Sequence, residues 1–257
     1  MIGEPTDSRS NQGTTLRPAM WALAVVSAVC FGAWLALAEA GPGTAARGGK
    51  AKSEAAGASR EASCRILYLG FVGALEPPEN KSSGVVQIRD TLRGPEYPEV
   101  CAKSYSPYTW TEGRDWLLGH FPAHKGNLTA EEQEQAPKVV LVGHSMGGWA
   151  MVKVARELRG RGIPVELAIQ VDSVGLTDSV VPRNVKAAAV FYARDLLMLL
   201  TTKKVQLEDP SQTKLLANVR VEGAGHESVT RDPRIRQMVL QTVEELRMSG
   251  KSARASE

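Results

Sequence analysis

Apolar residues along this chain fall into two kinds of run, and their alternation predicts the architecture. Short runs, rich in β-branched residues and leucine, stand at residues 66–69, Val100–Tyr105, 139–142, Val165–Val171, Val185–Tyr192 and 217–222. Strands covered on both faces read this way. Between them the apolar spacing becomes that of amphipathic helices. Ser83 stands where it caps a helix carrying Val85, Ile88 and Leu92; Trp110–Leu118 is helical, and residues 129–135 form a polar helical turn. Met151, Val154, Ala155 and Leu158 recur on one face of a further helix, which Gly160-Arg-Gly-Ile-Pro164 stops. Asp232-Pro233 supplies a cap and a first-turn proline for a closing helix with Val239, Val243 and Leu246 inward. Alternation of this kind is the signature of a parallel sheet with crossover helices. The fold class expected is therefore α/β: a mainly parallel sheet of about six strands with helices on both faces, preceded by one N-terminal hydrophobic helix.

The pattern changes outside that series. Residues 1–18 are polar and carry Arg9 and Arg17, and residues 19–38 form a run of 20 residues without a charge. At ~1.5 Å per residue such a run is long enough to cross a ~30 Å hydrocarbon core. It ends Ala38-Glu39-Ala40, an A-x-A-like cleavage site, yet it exceeds the usual apolar length of a secretory signal. Residues 19–40 are thus a transmembrane anchor or a signal peptide. Either fate exports the rest of the chain, as a membrane-anchored or a secreted or periplasmic domain. Residues 41–63 hold no large apolar side chain and form a linker, since they cannot bury enough surface to offset their ordering entropy. The folded domain spans residues 64–248, and 249–257 is a polar tail.

Composition narrows the function classes. With 257 residues, 43% hydrophobic and 23% charged, the chain holds one domain's core and an extension. Its net charge of +3 is small and no basic stripe interleaves with aromatics, so nucleic acid is not an expected partner. No Cys/His cluster has metal-ligand spacing and no glycine-rich phosphate loop is present; neither a metal nor another cofactor is expected.

The candidate chemistry sits at Gly143-His144-Ser145-Met146-Gly147, where the run at 139–142 breaks and a periodic helix begins. A strand-to-helix turn this sharp holds its serine in strained φ/ψ, and side chains at the flanking glycines would collide with the turn. The serine Oγ is left exposed above the sheet. A chance Gly-x-Ser-x-Gly in a small-residue turn is the bland alternative; the strand before it and the helix after it favour a nucleophile elbow.

Gly143-His-Ser-Met-Gly-Gly148 after a strand, with Gly225-His226 after the last strand, resembles the α/β-hydrolase superfamily, in particular its smaller lipase- and esterase-like members. The resemblance covers the folded portion, with a chain that starts at the third strand of the eight-stranded plan and has only a short stretch, 173–184, where many relatives insert a lid. It implies the order nucleophile, acid, histidine. Of the four histidines, His120 and His124 lie upstream and His144 is inside the elbow, so His226 is the base paired with Ser145. The acid must end a strand and hold the imidazole tautomer. Asp172 is preferred, because it follows an unbroken strand; Asp195, beside Arg194, is the alternative. For the oxyanion hole the resemblance implies the backbone N–H of Met146 and that of Phe71, or alternatively Val72. In the superfamily's strand order the first two strands are neighbours, which brings Cys64 and Cys101 within reach of a disulfide, two small buried residues being the alternative.

The expected activity is that of a serine hydrolase cleaving a carboxylester or lipid-like ester through an acyl-Ser145 intermediate, with a small-molecule substrate and with membrane contact through residues 19–38 unless these are cleaved. Thioesterase, amidase and acyltransferase chemistry on the same fold remain alternatives, as does a non-catalytic membrane-anchored binding domain. A complete triad separates the enzymes from the binder.

Overall fold

A computed structural model describes residues 64–123, 127–175, 177–193 and 205–255, all within the unit Ala51–Glu257. The N-terminal segment 1–18, the hydrophobic helix expected at 19–40, the linker at 41–63 and the alternative acid Asp195 with its leucine-rich surroundings lie outside the described residues. Among the described residues no helix is long and apolar enough to cross a membrane.

The strands are β1 (Ile66–Phe71), β2 (Val100–Tyr105), β3 (Lys138–His144), β4 (Val165–Val171), β5 (Val180–Val181), β6 (Val185–Tyr192), β7 (Gln206–Leu207) and β8 (Lys214–Arg220). The helices are α1 (Gly84–Leu92), α2 (Trp110–Leu118), α3 (Ala130–Gln135), α4 (Met146–Arg159) and α5 (Pro233–Ala255), with 3₁₀ turns at Pro107–Thr109 and Ser228–Arg231. Six strands make one sheet in the order β2-β1-β3-β4-β6-β8, and every neighbouring pair is parallel. The mainly parallel sheet of about six strands expected from the alternating runs is what forms.

Strand periodicity explains the two-sided core. On β1, Ile66 and Tyr68 pack with Val140, Val142, Leu167 and Ile169 on one face of the sheet, under α1 and α5 through Val85, Ile88, Val239 and Val243. The alternate residues Leu67 and Leu69 pack with Leu141 and Val165 on the other face, under α2 and α4 through Leu117, Met151, Val154 and Leu158. A side chain of this size removed fully from water contributes about 1.5–3 kcal/mol, so the central strands and α4 hold most of the apolar stabilisation.

β1 and β3 run a few residues beyond the expected 66–69 and 139–142, and larger differences from the sequence expectation follow. β8 begins at Lys214 rather than 217, as the sheet's edge strand, with Leu215 and Leu216 40% exposed. An edge strand has one unpaired side and shows no full apolar run. The stretch 173–184 contains β5, which pairs with β7 in a separate two-stranded sheet. The closing helix continues to Ala255, through residues read as the polar tail. Thr129 and Glu132 close a capping box on α3, whose residues are all outside the core, and Asp232 Oδ1 accepts the Arg234 N–H at 2.9 Å at the start of α5; Ser83 stands at the N-cap of α1, but its side chain makes no capping hydrogen bond.

Cys64 and Cys101 form a disulfide with Cα atoms 5.6 Å apart. β1 and β2 are neighbours in register Leu67 to Cys101, so the bridge ties the start of the domain to the second strand.

Topology also fixes where a site can be. From β1 the chain moves outward to β2, then returns across β1 to β3 and advances the other way. In open α/β sheets the crevice beyond the carboxyl ends at such a reversal is the binding position. Here it lies between the loop after β1 and the turn after β3, where Ser145 stands.

Candidate active site

Ser145 links β3 to α4 with φ 54° and ψ −129°, a region that side chains rarely occupy and that costs of order 1–3 kcal/mol. Packing enforces the turn. A Cβ at Gly143 would collide with the Gly147 carbonyl, and one at Gly147 would stand 2.5 Å from the carbonyl oxygens of both Phe71 and Val72. The serine backbone is pinned from β4: its N–H donates to Val171 O at 3.0 Å, and its carbonyl accepts from Gly148 N at 2.9 Å and Val174 N at 3.0 Å.

His226 arrives from the loop after β8. That loop is shaped by Gly225, whose N–H donates to Ser228 Oγ at 2.9 Å, and by Val229 N–H donating to Gly225 O at 3.0 Å. His226 Nε2 lies 2.9 Å from Ser145 Oγ, and its Nδ1 lies 2.7 Å from Asp172 Oδ2. A carboxylate only accepts, so Nδ1 carries the proton and Nε2 presents its lone pair to the serine hydroxyl. The imidazole side chain keeps 16% of its surface exposed and the aspartate 1%.

Asp172 ends β4 with φ 43°; it and Ser145 are the two non-glycine residues with positive φ among the described residues. Its N–H donates to Phe191 O at 2.7 Å, and its Oδ1 accepts from Ala193 N at 3.2 Å. The carboxyl end of β6 thus orients it. The following turn is locked by Ser173 Oγ donating to Asp178 Oδ2, both residues buried, and by Gln170 Nε2 donating to the Asp178 carbonyl at 2.8 Å.

The oxyanion expectations fall on Met146, Phe71 and Val72. Met146 opens α4, and a first-turn N–H has no acceptor within its own helix. The Val72 N–H donates to Tyr105 O at 3.1 Å. Phe71, the last residue of β1, is paired in register with Gly143 on β3. Its ring is fully buried in the core.

Glu76 carries no signal in the sequence pattern, and His144 is read there only as part of the elbow motif. Glu76, in the loop after β1, lies with Oε1 2.8 Å from His144 Nδ1; the two side chains keep 8% and 1% of their surface exposed. His144 Nε2 lies 2.9 Å from the carbonyl oxygen of His226, and the two imidazoles stand with centroids 4.8 Å apart. Burial raises the Glu76 carboxyl, but His144 foremost, together with Ser83 and His226, holds the group below the usual carboxylate range. The loop is anchored further along by the buried Arg89, which donates to Pro78 O at 3.0 Å and pairs with Glu79 at 2.7 Å. Burial also raises the Tyr68 hydroxyl, which donates to Val85 O at 3.0 Å under the same loop. Among the described residues no group of His, Cys, Asp and Glu is arranged to hold a metal ion.

No family model and no curated protein matches the sequence. Several solved structures resemble the fold. The RedJ thioesterase of the prodiginine biosynthetic pathway in Streptomyces coelicolor is 12% identical, with 72% of this chain and 92% of that chain covered and a TM-score of 0.40. A lipase-esterase related protein from Clostridium acetobutylicum is 10% identical over 70% and 96% of the two chains, with a TM-score of 0.39. Est1E from Butyrivibrio proteoclasticus is 11% identical over 71% and 90%, with a TM-score of 0.37. Nothing about activity follows from likeness this loose. The resemblance to the α/β-hydrolase superfamily rests instead on the strand order, the turn after β3 and the chain order of Ser145, Asp172 and His226.

Proposed function

We propose that this chain is a serine hydrolase that cleaves an ester-type bond of a small-molecule or lipid-like substrate through an acyl-Ser145 intermediate. The observation that carries the reading is the continuous chain from Ser145 Oγ through the His226 ring to Asp172 Oδ2, at 2.9 and 2.7 Å. In it His226 takes the serine proton as the hydroxyl attacks the ester carbonyl and returns it to the leaving alkoxide; Asp172 holds the tautomer and stabilises the imidazolium that forms. The Met146 N–H, at the positive end of the α4 dipole, faces the developing oxyanion. Water then attacks the acyl-enzyme by the same route, with His226 again the base. Carboxylesters come first among substrates as the commonest substrates of the superfamily that the chain resembles.

We further propose that the enzyme acts outside the cytoplasm, anchored by residues 19–38 or released by cleavage after them. The uncharged run and the Cys64–Cys101 disulfide support this, since disulfides persist in oxidising compartments.

Hydrolysis of p-nitrophenyl esters of graded acyl length by the full-length chain tests the activity. Turnover that is absent from folded wild type, or that persists in Ser145→Ala, overturns the reading; the chain length with the highest kcat/KM identifies the acyl class.

A further inference from the structure

We infer that His144 is a positioning residue that fastens the loop carrying His226 to the elbow and to the loop after β1. This rests on the reading of Ser145 and His226 as nucleophile and base.

The residue next to the serine has no role in the proton relay, yet its ring stands between two acceptors. Nε2 is 2.9 Å from the His226 carbonyl oxygen and Nδ1 is 2.8 Å from Glu76 Oε1. A carbonyl only accepts, so Nε2 carries a proton and donates to it, while Nδ1 lies at contact distance from the Glu76 carboxylate. Burial raises the Glu76 carboxyl, and His144 is the principal partner that lowers it. Both side chains are buried, so removing one leaves the polar atoms of the other without water.

The arrangement joins three segments through one side chain. His144 belongs to the end of β3, so its ring is positioned by the same backbone that positions Ser145. Its Nε2–H holds the peptide of His226, whose own ring must meet Ser145 Oγ at 2.9 Å. Its Nδ1 side holds Glu76, hence the loop after β1. The crossing is tight: a Cβ on Gly73 would stand 3.2 Å from Glu76 Oε1 and 3.3 Å from His144 Nδ1. Without the Nε2–H bond the His226 loop keeps its ring bonded to Asp172 but loses the restraint on its backbone, and a displacement on the order of 1 Å at a reacting group costs about a hundredfold in rate.

The two nitrogens can be tested separately. Gln at 144 keeps a donor near the Nε2 position, toward the His226 carbonyl; Asn keeps one near the Nδ1 position, toward Glu76; Leu keeps neither. The full-length wild type and His144→Gln, His144→Asn and His144→Leu are titrated with a fluorophosphonate probe, and kinact and KI are measured with a thermal melt of each. The Asn and Leu variants should lose about tenfold to a hundredfold in kinact with KI within about twofold, while Gln recovers most of the loss. Equal kinact in all four proteins, a loss confined to KI, or Gln as impaired as Leu would overturn the inference; a purely packing role would follow the melts rather than the position of the donor. If Leu does not fold, the Gln and Asn pair decides. Wild type that never reacts overturns the reading of Ser145 itself, and this inference with it.

Discussion

Replacing Asp172 by Asn changes one atom and should stop the proposed chemistry. The positive φ of 43° at this position is one that Asn tolerates, so the fold should survive. The amide's orientation is set by the neighbours. Ala193 N–H, 3.2 Å from Oδ1, requires an acceptor, which turns the amide oxygen toward Ala193 and the NH₂ toward His226 Nδ1. Nδ1 then has to accept, its proton moves to Nε2, and the lone pair facing Ser145 Oγ at 2.9 Å is lost. The wrong tautomer of a triad histidine costs ~10⁴ in kcat, equal to about 5 kcal/mol of transition-state stabilisation. Steady-state hydrolysis of a chromogenic ester measures it, with a thermal melt to show the fold intact. Loss of less than about tenfold with an unchanged melt would refute the assignment of the acid; Asp195→Asn, made alongside, should then carry the large effect.

Other outcomes depend on particular contacts. Reducing the Cys64–Cys101 bridge, which closes a separation of 37 residues, should destabilise the domain by up to about 4 kcal/mol on the chain-entropy model, read as a lower denaturant midpoint with reductant; free-thiol counts equal with and without reductant would show that no bridge exists. Burial pushes the Glu76 carboxyl up but His144, Ser83 and His226 together bring it below its ordinary value, so its contribution to stability is present above that ordinary value and is lost as pH falls below it. Melting temperature should therefore fall more steeply through the acid range in wild type than in Glu76→Gln. Gly147→Ala would place a methyl 2.5 Å from two backbone carbonyls; the elbow must distort, and a loss of about 3 kcal/mol or more in stability, or of soluble protein, is expected in chemical denaturation.

How far the sequence can be read depends on how much of each element is covered by others. β1, β3 and β4 are buried on both faces and read as near-continuous apolar runs, so their existence and order are plain. β5 and β7 have two residues each, too few to carry a period. β8 lies at an edge, where Lys214, Leu215 and Leu216 face water and break the pattern. At the site, Ser145 and His226 stand out from the turn chemistry and from chain order, since only one histidine lies downstream. The sequence narrows the acid to two residues; the geometry brings Asp172 to His226, while Asp195 lies outside the described residues. The oxyanion donors depend on which way a peptide faces, and a strand's exit residue, such as Val72, can have its N–H kept by the neighbouring strand. Glu76 is not legible at all. It sits in a Gly/Pro-bounded loop, and its meaning comes from a histidine 68 positions away in sequence and 2.8 Å away in space.

Labelling of the full-length chain with a fluorophosphonate probe decides whether Ser145 is the nucleophile, because the probe reacts only with a serine whose base and oxyanion donors are in place. Stoichiometric labelling of folded wild type is expected, with the added mass on the peptide containing Ser145, and none in Ser145→Ala. Label on any other residue, label that persists in Ser145→Ala, or folded wild type that never reacts would contradict the proposed mechanism.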